Sequence, residues 1–239
     1  GGGLSAAFAA RVQRSEEKAV PIPPGVRGTY EYDAAWPAKR DDIVIAITSP
    51  TPDQVIQLGR LAVRVTVTGF ETFKTGRSGG NHLRVLLDNE IPRDWYDPNE
   101  KPLVIEGLAP GQHTLRIFPM TPWGESIKGK NAFASVRFYV GDPRNASVPI
   151  DLTKPTLSHS NPVDKSVFAH DEPVLVDFFV TGCSLTPEGC RVRMTLDEDK
   201  PIDLVAWAPL WLRSIEPGKH RLVMQLRGAD GEPSPGPYN

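Results

Sequence analysis

Val63-Arg-Val-Thr-Val-Thr-Gly-Phe70, Asn81-His-Leu-Arg-Val-Leu-Leu-Asp-Asn-Glu90 and Leu103-Val-Ile-Glu-Gly-Leu-Ala-Pro-Gly-Gln-His-Thr-Leu-Arg-Ile-Phe118 form a series that the chain uses twice. The second copy reads Val174-Leu-Val-Asp-Phe-Phe-Val-Thr-Gly-Cys183, Cys190-Arg-Val-Arg-Met-Thr-Leu-Asp-Glu-Asp199 and Leu210-Trp-Leu-Arg-Ser-Ile-Glu-Pro-Gly-Lys-His-Arg-Leu-Val-Met-Gln-Leu226. Thr68-Gly69 matches Thr181-Gly182, Leu87-Asp88 matches Leu196-Asp197, and Pro110-Gly111-Gln112-His113 matches Pro217-Gly218-Lys219-His220. The spacing between these landmarks changes by only a few residues, as loop-length variation allows. The repeat therefore covers a whole domain and not a short solenoid unit.

Within each copy the apolar residues alternate. Val63, Val65 and Val67 alternate with Arg64, Thr66 and Thr68; Leu83, Val85 and Leu87 alternate with Arg84, Leu86 and Asp88. A period of two is that of a strand with one face buried. Ile43–Ile47, Leu103–Leu108, His113–Phe118 and Ala132–Val140 supply further strands of the first copy. Pro155–Pro162, Val174–Phe179, Val192–Leu196, Leu210–Ile215 and Leu222–Leu226 supply those of the second. Pro50 and Pro52 follow the first strand, and proline is confined to sheet edges and bulges, so that strand is expected to break or change sheet there.

The 239 residues thus divide into an N-terminal tether (1–40), a first domain (41–141), a linker (142–154) and a second domain (155–239). Gly 21 and Pro 24 suit many turns between short strands. The tether contains one short helical pattern, with Leu4, Phe8 and Val12 on one face, and Pro21-Ile-Pro-Pro-Gly25 ends it. Tyr30, Tyr32 and Trp36 are expected to lie against the first domain. In the second domain the chain stops at Asn239, where Asn131 stands in the first, just before the closing strand Ala132–Val140. The edge beside Leu222–Leu226 is expected to be open or irregular: it lacks a tail, is covered from within the chain, or receives a strand from a second molecule.

About seven short strands with turn signals every ~8–12 residues is the pattern of an immunoglobulin-like sandwich. The Leu-x-Pro-Gly-x-His-x-Leu arrangement from Leu108 to Leu115, with a strand ending Leu-Asp, resembles the immunoglobulin-like and fibronectin-III-like domains of bacterial envelope proteins. The resemblance implies an all-β fold of two tandem sandwiches and a non-enzymatic interaction or spacer module. The core tryptophan and paired cysteines of antibody domains are absent.

Formal net charge is −2, with acidic and basic residues interspersed, so nothing points to a nucleic-acid partner. No run of 18 or more apolar residues offers a transmembrane helix. The two cysteines, Cys183 and Cys190, flank one turn between two strands, an arrangement suited to a disulfide and to an oxidising compartment. Export is therefore expected, to a periplasmic, outer-membrane-associated or extracellular location. A lipid anchor upstream of the chain belongs to the same expectation.

The candidate sites are few. His113 and His220 occupy one repeat position, and Asp88 and Asp197 another. Neighbouring antiparallel strands bring each histidine near its carboxylate. A site present in both domains, without a nucleophile in the motif, reads as structural and not as half of a catalytic triad. His82 opens the strand that Asp88 closes, about 20 Å away at ~3.3 Å per residue, too far for one metal ion. Asp197, Glu198, Asp199 and Asp203 lack the ligand spacing of a calcium loop. Gly76–Gly80 lacks the lysine and helix of a phosphate-binding loop. No metal and no cofactor is expected. Trp95, Tyr96 and Trp123 lie in loops of domain one and are the candidates for stacking on a sugar or anchoring a protein. A carbohydrate-binding protein is the alternative function they suggest.

Overall fold

The computed structural model describes residues 17–19, 29–33, 40–57, 59–75, 78–206 and 209–239. In chain order the strands are β1 (Glu17–Ala19), β2 (Thr29–Asp33), β3 (Val44–Ser49), β4 (Val55–Ile56), β5 (Arg60–Thr68), β6 (Lys74–Thr75), β7 (Ser78–Gly79), β8 (His82–Leu87) and β9 (Arg93–Trp95). They continue as β10 (Leu103–Glu106), β11 (Gly111–Met120), β12 (Ala134–Val140), β13 (Thr156–Asn161), β14 (Val174–Thr181), β15 (Arg191–Leu196), β16 (Ile202–Leu204), β17 (Leu210–Arg213) and β18 (Leu222–Arg227). Each of two compact units is a β-sandwich. One is centred on Ala38–Leu152 and the other on Thr153–Asn239, which also takes in the N-terminal strands.

In the first unit a three-stranded sheet, β10-β5-β3, faces a five-stranded sheet, β4-β12-β11-β8-β9. The alternation in β5 does what its period demands: Leu61, Val63 and Val65 are buried, while Arg60, Arg64, Thr66 and Thr68 are exposed. Leu83, Val85, Leu87, Leu115, Ile117 and Phe138 meet them from the other sheet, all at 2% exposure or less. Fully burying one such side chain stabilises by roughly 1.5–3 kcal/mol, so this interior dominates the folding free energy of the unit.

In the second unit the sheets are β1-β2-β17-β14-β13 and β16-β15-β18. The core holds Leu157, Val176, Phe178, Val180, Val192, Met194, Leu204, Leu210, Leu212 and Leu226. The register of β13 on β14 reproduces that of β3 on β5: Thr156 lies opposite Thr181, and Val44 opposite Thr68. Both strands are interrupted by a register shift near their ends and are followed by a cis prolyl bond, Asn161–Pro162 and Ser49–Pro50. The Thr-Gly of the repeat has a steric origin. Gly69 and Gly182 have φ of +73° and +76°, and a Cβ at either would collide with the backbone of Asp42 or Lys154.

Three expectations need correction. Tyr30 and Tyr32, expected against the first domain, belong to a strand that groups with the second unit. Their strand β2 pairs with β17 of the second unit, with Tyr32 opposite Leu210 and Tyr30 opposite Leu212. The exposed edge of a sheet recruits any extended segment within reach, and β17 offers one. The short helical pattern at Leu4–Val12, and Trp36, lie outside the described residues. Of the linker expected at 142–154, residues up to Leu152 group with the first unit. Ile150 donates its N–H to Gln112 Oε1 (2.7 Å), and Arg137 Nη1 donates to the Ile150 carbonyl (2.6 Å). Finally, β8 is buried on both faces and not on one. Its outward Arg84 is 6% exposed, which a paired charge can sustain.

Cys183 and Cys190 form a disulfide across the turn between β14 and β15, with Cα atoms 6.3 Å apart. Cys190 belongs to the core of the second unit and Cys183 packs against it. The cross-link closes a short loop, so the chain-entropy argument gives about 2–3 kcal/mol. We expect the double substitution C183A/C190A to lower the stability of the second unit by about that amount and to leave the first unchanged. Urea-dependent hydrogen exchange at the β14 and β8 amides separates the two units. Unchanged protection in β14, or two alkylatable thiols in the unreduced protein, would overturn the assignment.

Candidate functional site

The most ordered polar constellation begins with Asp88, which follows β8 at a φ of +51°. Aspartate tolerates this left-handed conformation better than most residues. From there its N–H donates to the Thr114 carbonyl (2.8 Å), and its Oδ1 accepts from the Thr114 N–H (2.8 Å). The other oxygen, Oδ2, lies 2.7 Å from Nδ1 of His113, whose Nε2 lies 2.7 Å from the Ala109 carbonyl. A carbonyl and a carboxylate both only accept, so the ring satisfies both as an imidazolium, with two N–H donors. The hydrogen bond to Asp88 raises the His113 pKa above 6.5 against the opposing effect of burial. The ring also stacks on Phe138, centroids 5.4 Å apart.

The second unit repeats every one of these bonds. Asp197, at φ +53°, donates to the Arg221 carbonyl (2.8 Å) and accepts from the Arg221 N–H (2.8 Å). Its Oδ2 lies 2.7 Å from His220 Nδ1, and His220 Nε2 lies 2.6 Å from the Glu216 carbonyl. Each clasp ties the end of one strand to the start of its neighbour and to the corner before it. In His113 both ring nitrogens are engaged, one by a carboxylate and one by a backbone carbonyl.

A second doubled pair escaped the sequence reading. Arg84 Nε donates to Asp94 Oδ1 (3.0 Å) across β8 and β9, and Arg193 Nε donates to Asp203 Oδ1 (2.8 Å) across β15 and β16. The signal was present: Arg84, Leu87-Asp88, Pro92 and Asp94 recur at unchanged spacing as Arg193, Leu196-Asp197, Pro201 and Asp203. Asp203, considered above as an oxygen ligand, is thus the acceptor of an arginine, which holds its carboxyl below the usual range. Burial pushes the Asp94 carboxyl up, but His82 and Arg84 outweigh it and hold the group at about 2. His82 adds a contact of its own, Nε2 to Asp94 Oδ1 at 3.5 Å, and its ring lies 4.6 Å from that of Tyr96. Among the described residues no three His, Cys, Asp or Glu side chains come together as a metal site.

A third recurrence is the hairpin after β11 and β18. Thr121 donates to the Glu125 carbonyl (2.8 Å) and Ile127 to that of Pro119 (2.8 Å); Gly228 donates to Glu232 (2.9 Å) and Ser234 to Leu226 (2.9 Å). The sequences share little beyond Gly124-Glu125 and Gly231-Glu232, so the likeness lies in the backbone.

The aromatic candidates do not assemble as a platform. Trp95 is a correction: it ends β9, pairs with Leu83 and is 3% exposed, so its ring fills the sandwich and is not offered to a ligand. Tyr96 is half-buried against His82, and Trp123 is half-buried in the turn of the hairpin. Trp207 lies outside the described residues, and Trp211 is 1% exposed in β17.

Protonation of His113 makes the first clasp pH-dependent. The folded state holds this proton more tightly than the unfolded chain. The contribution is therefore complete below pH 6.5 and is lost as pH rises through the raised folded value. We expect Asp88→Asn, which keeps a side chain tolerant of the left-handed backbone, to cost about 1–3 kcal/mol below that pH. It should also flatten the profile above it. Urea titrations followed by amide exchange in β8 and β11 check this; equal pH profiles in the two proteins would refute the imidazolium.

No protein-family model matches the chain, and no curated protein does. Among solved structures the chain is similar to the fibronectin(III)-like modules of CbhA from Clostridium thermocellum, at 16% identity and a TM-score of 0.29. The match covers 80% of this chain and 90% of that one.

Proposed function

We propose that the chain is a non-enzymatic interaction or spacer module of an exported protein, built from two immunoglobulin-like domains. The observation that carries this reading is the doubling of its polar chemistry. The histidine–aspartate clasp stands at the same place in both units, with the same bonds to within about 0.1 Å. A device that fastens strands has to occur in each unit, and the clasp does.

The Cys183–Cys190 disulfide supports a periplasmic, outer-membrane-associated or extracellular setting, because such bonds persist in oxidising compartments. No helix among the described residues is long and apolar enough to cross a membrane. A lipid anchor ahead of the chain fits this setting. The burial of Trp95 weighs against the carbohydrate-binding alternative, which retains the half-buried Tyr96 and Trp123.

Two measurements test the proposal. Protein recovered from intact source cells and alkylated without reductant should carry the disulfide and should be open to protease added outside the inner membrane. A reduced form confined to the cytosol would overturn the setting. A screen against hydrolase, transferase and lyase substrates should yield no turnover. Turnover that Asp88→Asn or Asp197→Asn abolished while the fold persisted would overturn the non-enzymatic reading.

A further inference from the structure

The clasps and the Arg–Asp pairs stand in both units, but the outward face of β15 and β18 carries a cluster that the first unit lacks. Arg193 and Asp203 are the counterparts of Arg84 and Asp94. Around this shared pair the residues change. Met120 lies opposite His82 in the first unit, and Arg227 opposite Arg191 in the second. Phe118 lies opposite Arg84, and Gln225 opposite Arg193. Two fully buried apolar side chains, Met120 and Phe118, thus give way to an arginine and an amide, and His82 gives way to a permanent cation. The hairpin borders this place in both units: Met120 is bridged to Ser126 and Arg227 to Pro233, and the pairing of β12 with β11 ends at Ile117, short of Met120.

Opposed arginines are an unfavourable strand pair, because like charges directly across a ladder repel. Asp203 offsets one charge of the three. It accepts from Arg193 Nε and Nη2 at 2.8 and 3.0 Å and lies 3.9 Å from Arg191 Nη1. The hydrogen bond from Arg193, then the charges of Arg193, Arg191 and Arg227, hold its carboxyl below the usual range against the effect of burial. Two donors are left over as well. Nε of Arg191 and Nε of Arg227 are buried and have no acceptor among the described residues. The other ends of these side chains are held in place: Arg191 Nη2 reaches the Pro187 carbonyl at 3.5 Å, and Arg227 Nη1 donates to the Gly231 carbonyl at 2.7 Å. Arg191 also directly follows Cys190 of the disulfide, which restrains its backbone.

We propose that Arg191, Arg193, Arg227 and Gln225 bind the phosphate group of a phosphate monoester. Three arginines less one aspartate leave two positive charges. A phosphate monoester carries about −1.5 to −2 at neutral pH and offers three acceptor oxygens, enough for both Nε donors and the Gln225 amide. A carboxylate brings one charge and lies in one plane, which suits a single guanidinium fork. The first unit, with Met120 and Phe118 in place of Arg227 and Gln225, has no such excess of charge or donors and is not expected to bind.

This inference supplies a ligand class for the interaction module proposed above, and it rests on that reading only in taking the ester to be bound and not cleaved. The test titrates the whole chain with methyl phosphate, against dimethyl phosphate and potassium chloride at matched ionic strength. Methyl phosphate at ten times its Kd should slow exchange of the β15 and β18 amides about tenfold and leave those of β8 unchanged. Dimethyl phosphate, with one charge and two free oxygens, should bind several-fold more weakly. Arg191→His and Arg227→Met install the residues with which the first unit folds. Each should weaken methyl phosphate binding by about tenfold or more, as loss of a charged hydrogen bond does. A slowing no greater than chloride produces, an equal response to the diester, or undiminished binding by both variants would overturn the site. The comparison of monoester with diester needs no variant and stands even where a variant fails to fold. Two further probes locate the ester. Sedimentation with phosphatidylcholine vesicles that carry phosphatidic acid assigns it to a lipid headgroup. Binding of glucose 6-phosphate without retention on the vesicles assigns it to a soluble sugar, and failure of both probes overturns the monoester as ligand. None of these outcomes decides the module reading, which falls instead if the substrate screen finds turnover.

Discussion

A carboxylate that follows one strand and a histidine at the start of the next hold each sandwich in register. The clasp acts at the point where the chain has left one strand and returns, after a crossover to the opposite sheet, to lie beside it. Long-range pairing of this kind has to be specified against a slip, since a shift of one residue would turn every inward side chain outward. Asp88 sets the register directly, because it donates to and accepts from the same residue, Thr114, while its second oxygen holds the neighbouring His113. With that pair fixed, Leu87 stands opposite Leu115 and Val85 opposite Ile117, all four in the interior. The second unit reaches the same result through Asp197, with Leu196 opposite Leu222 and Met194 opposite Met224.

The Arg84–Asp94 and Arg193–Asp203 pairs extend this control by one strand. Both are bidentate, with the second guanidinium nitrogen on the second carboxylate oxygen at 3.4 and 3.0 Å. Fork-to-fork geometry fixes orientation as well as distance. In the first unit the arginine is buried and the pair carries its own neutralisation. In the second it is partly solvated and its energetic weight is correspondingly smaller. The same two residues thus perform a core task in one unit and a surface task in the other.

Much of this was readable in the sequence, for identifiable reasons. Strand positions announce themselves by a period of two, and the clasp residues stood out because two copies kept them while their neighbours changed. The Arg–Asp pairs were equally repeated but passed unnoticed, since an isolated Arg and Asp several residues apart carry no meaning until the strands that bear them are known to be adjacent. Trp95 was misplaced for a related reason. In a three-residue strand, Arg93-Asp-Trp95, one inward residue makes no visible alternation. The pairing of β2 with β17 lay beyond reach, because a strand added from a distant segment leaves no local trace.

The two units also solve the problem of exposed edges differently. The first closes its five-stranded sheet with its own β12 and the short parallel strand β4, which pairs through Val55 and Ile56. The second spends extra strands on the opposite sheet, where β2 and β1 extend β17. Among the described residues its other sheet is β16-β15-β18, with Ser234 and Asn239 bonded to Leu226 at the end of β18. Asn239 is the key to that arrangement. Its side chain bridges to Pro155 and Leu157, at 2.8 and 2.9 Å, while its carbonyl accepts from Leu226. Ile45 in the first unit donates to the Asn131 carbonyl (3.0 Å) at the same place in the fold, so the polypeptide approaches the edge along the same path in both units.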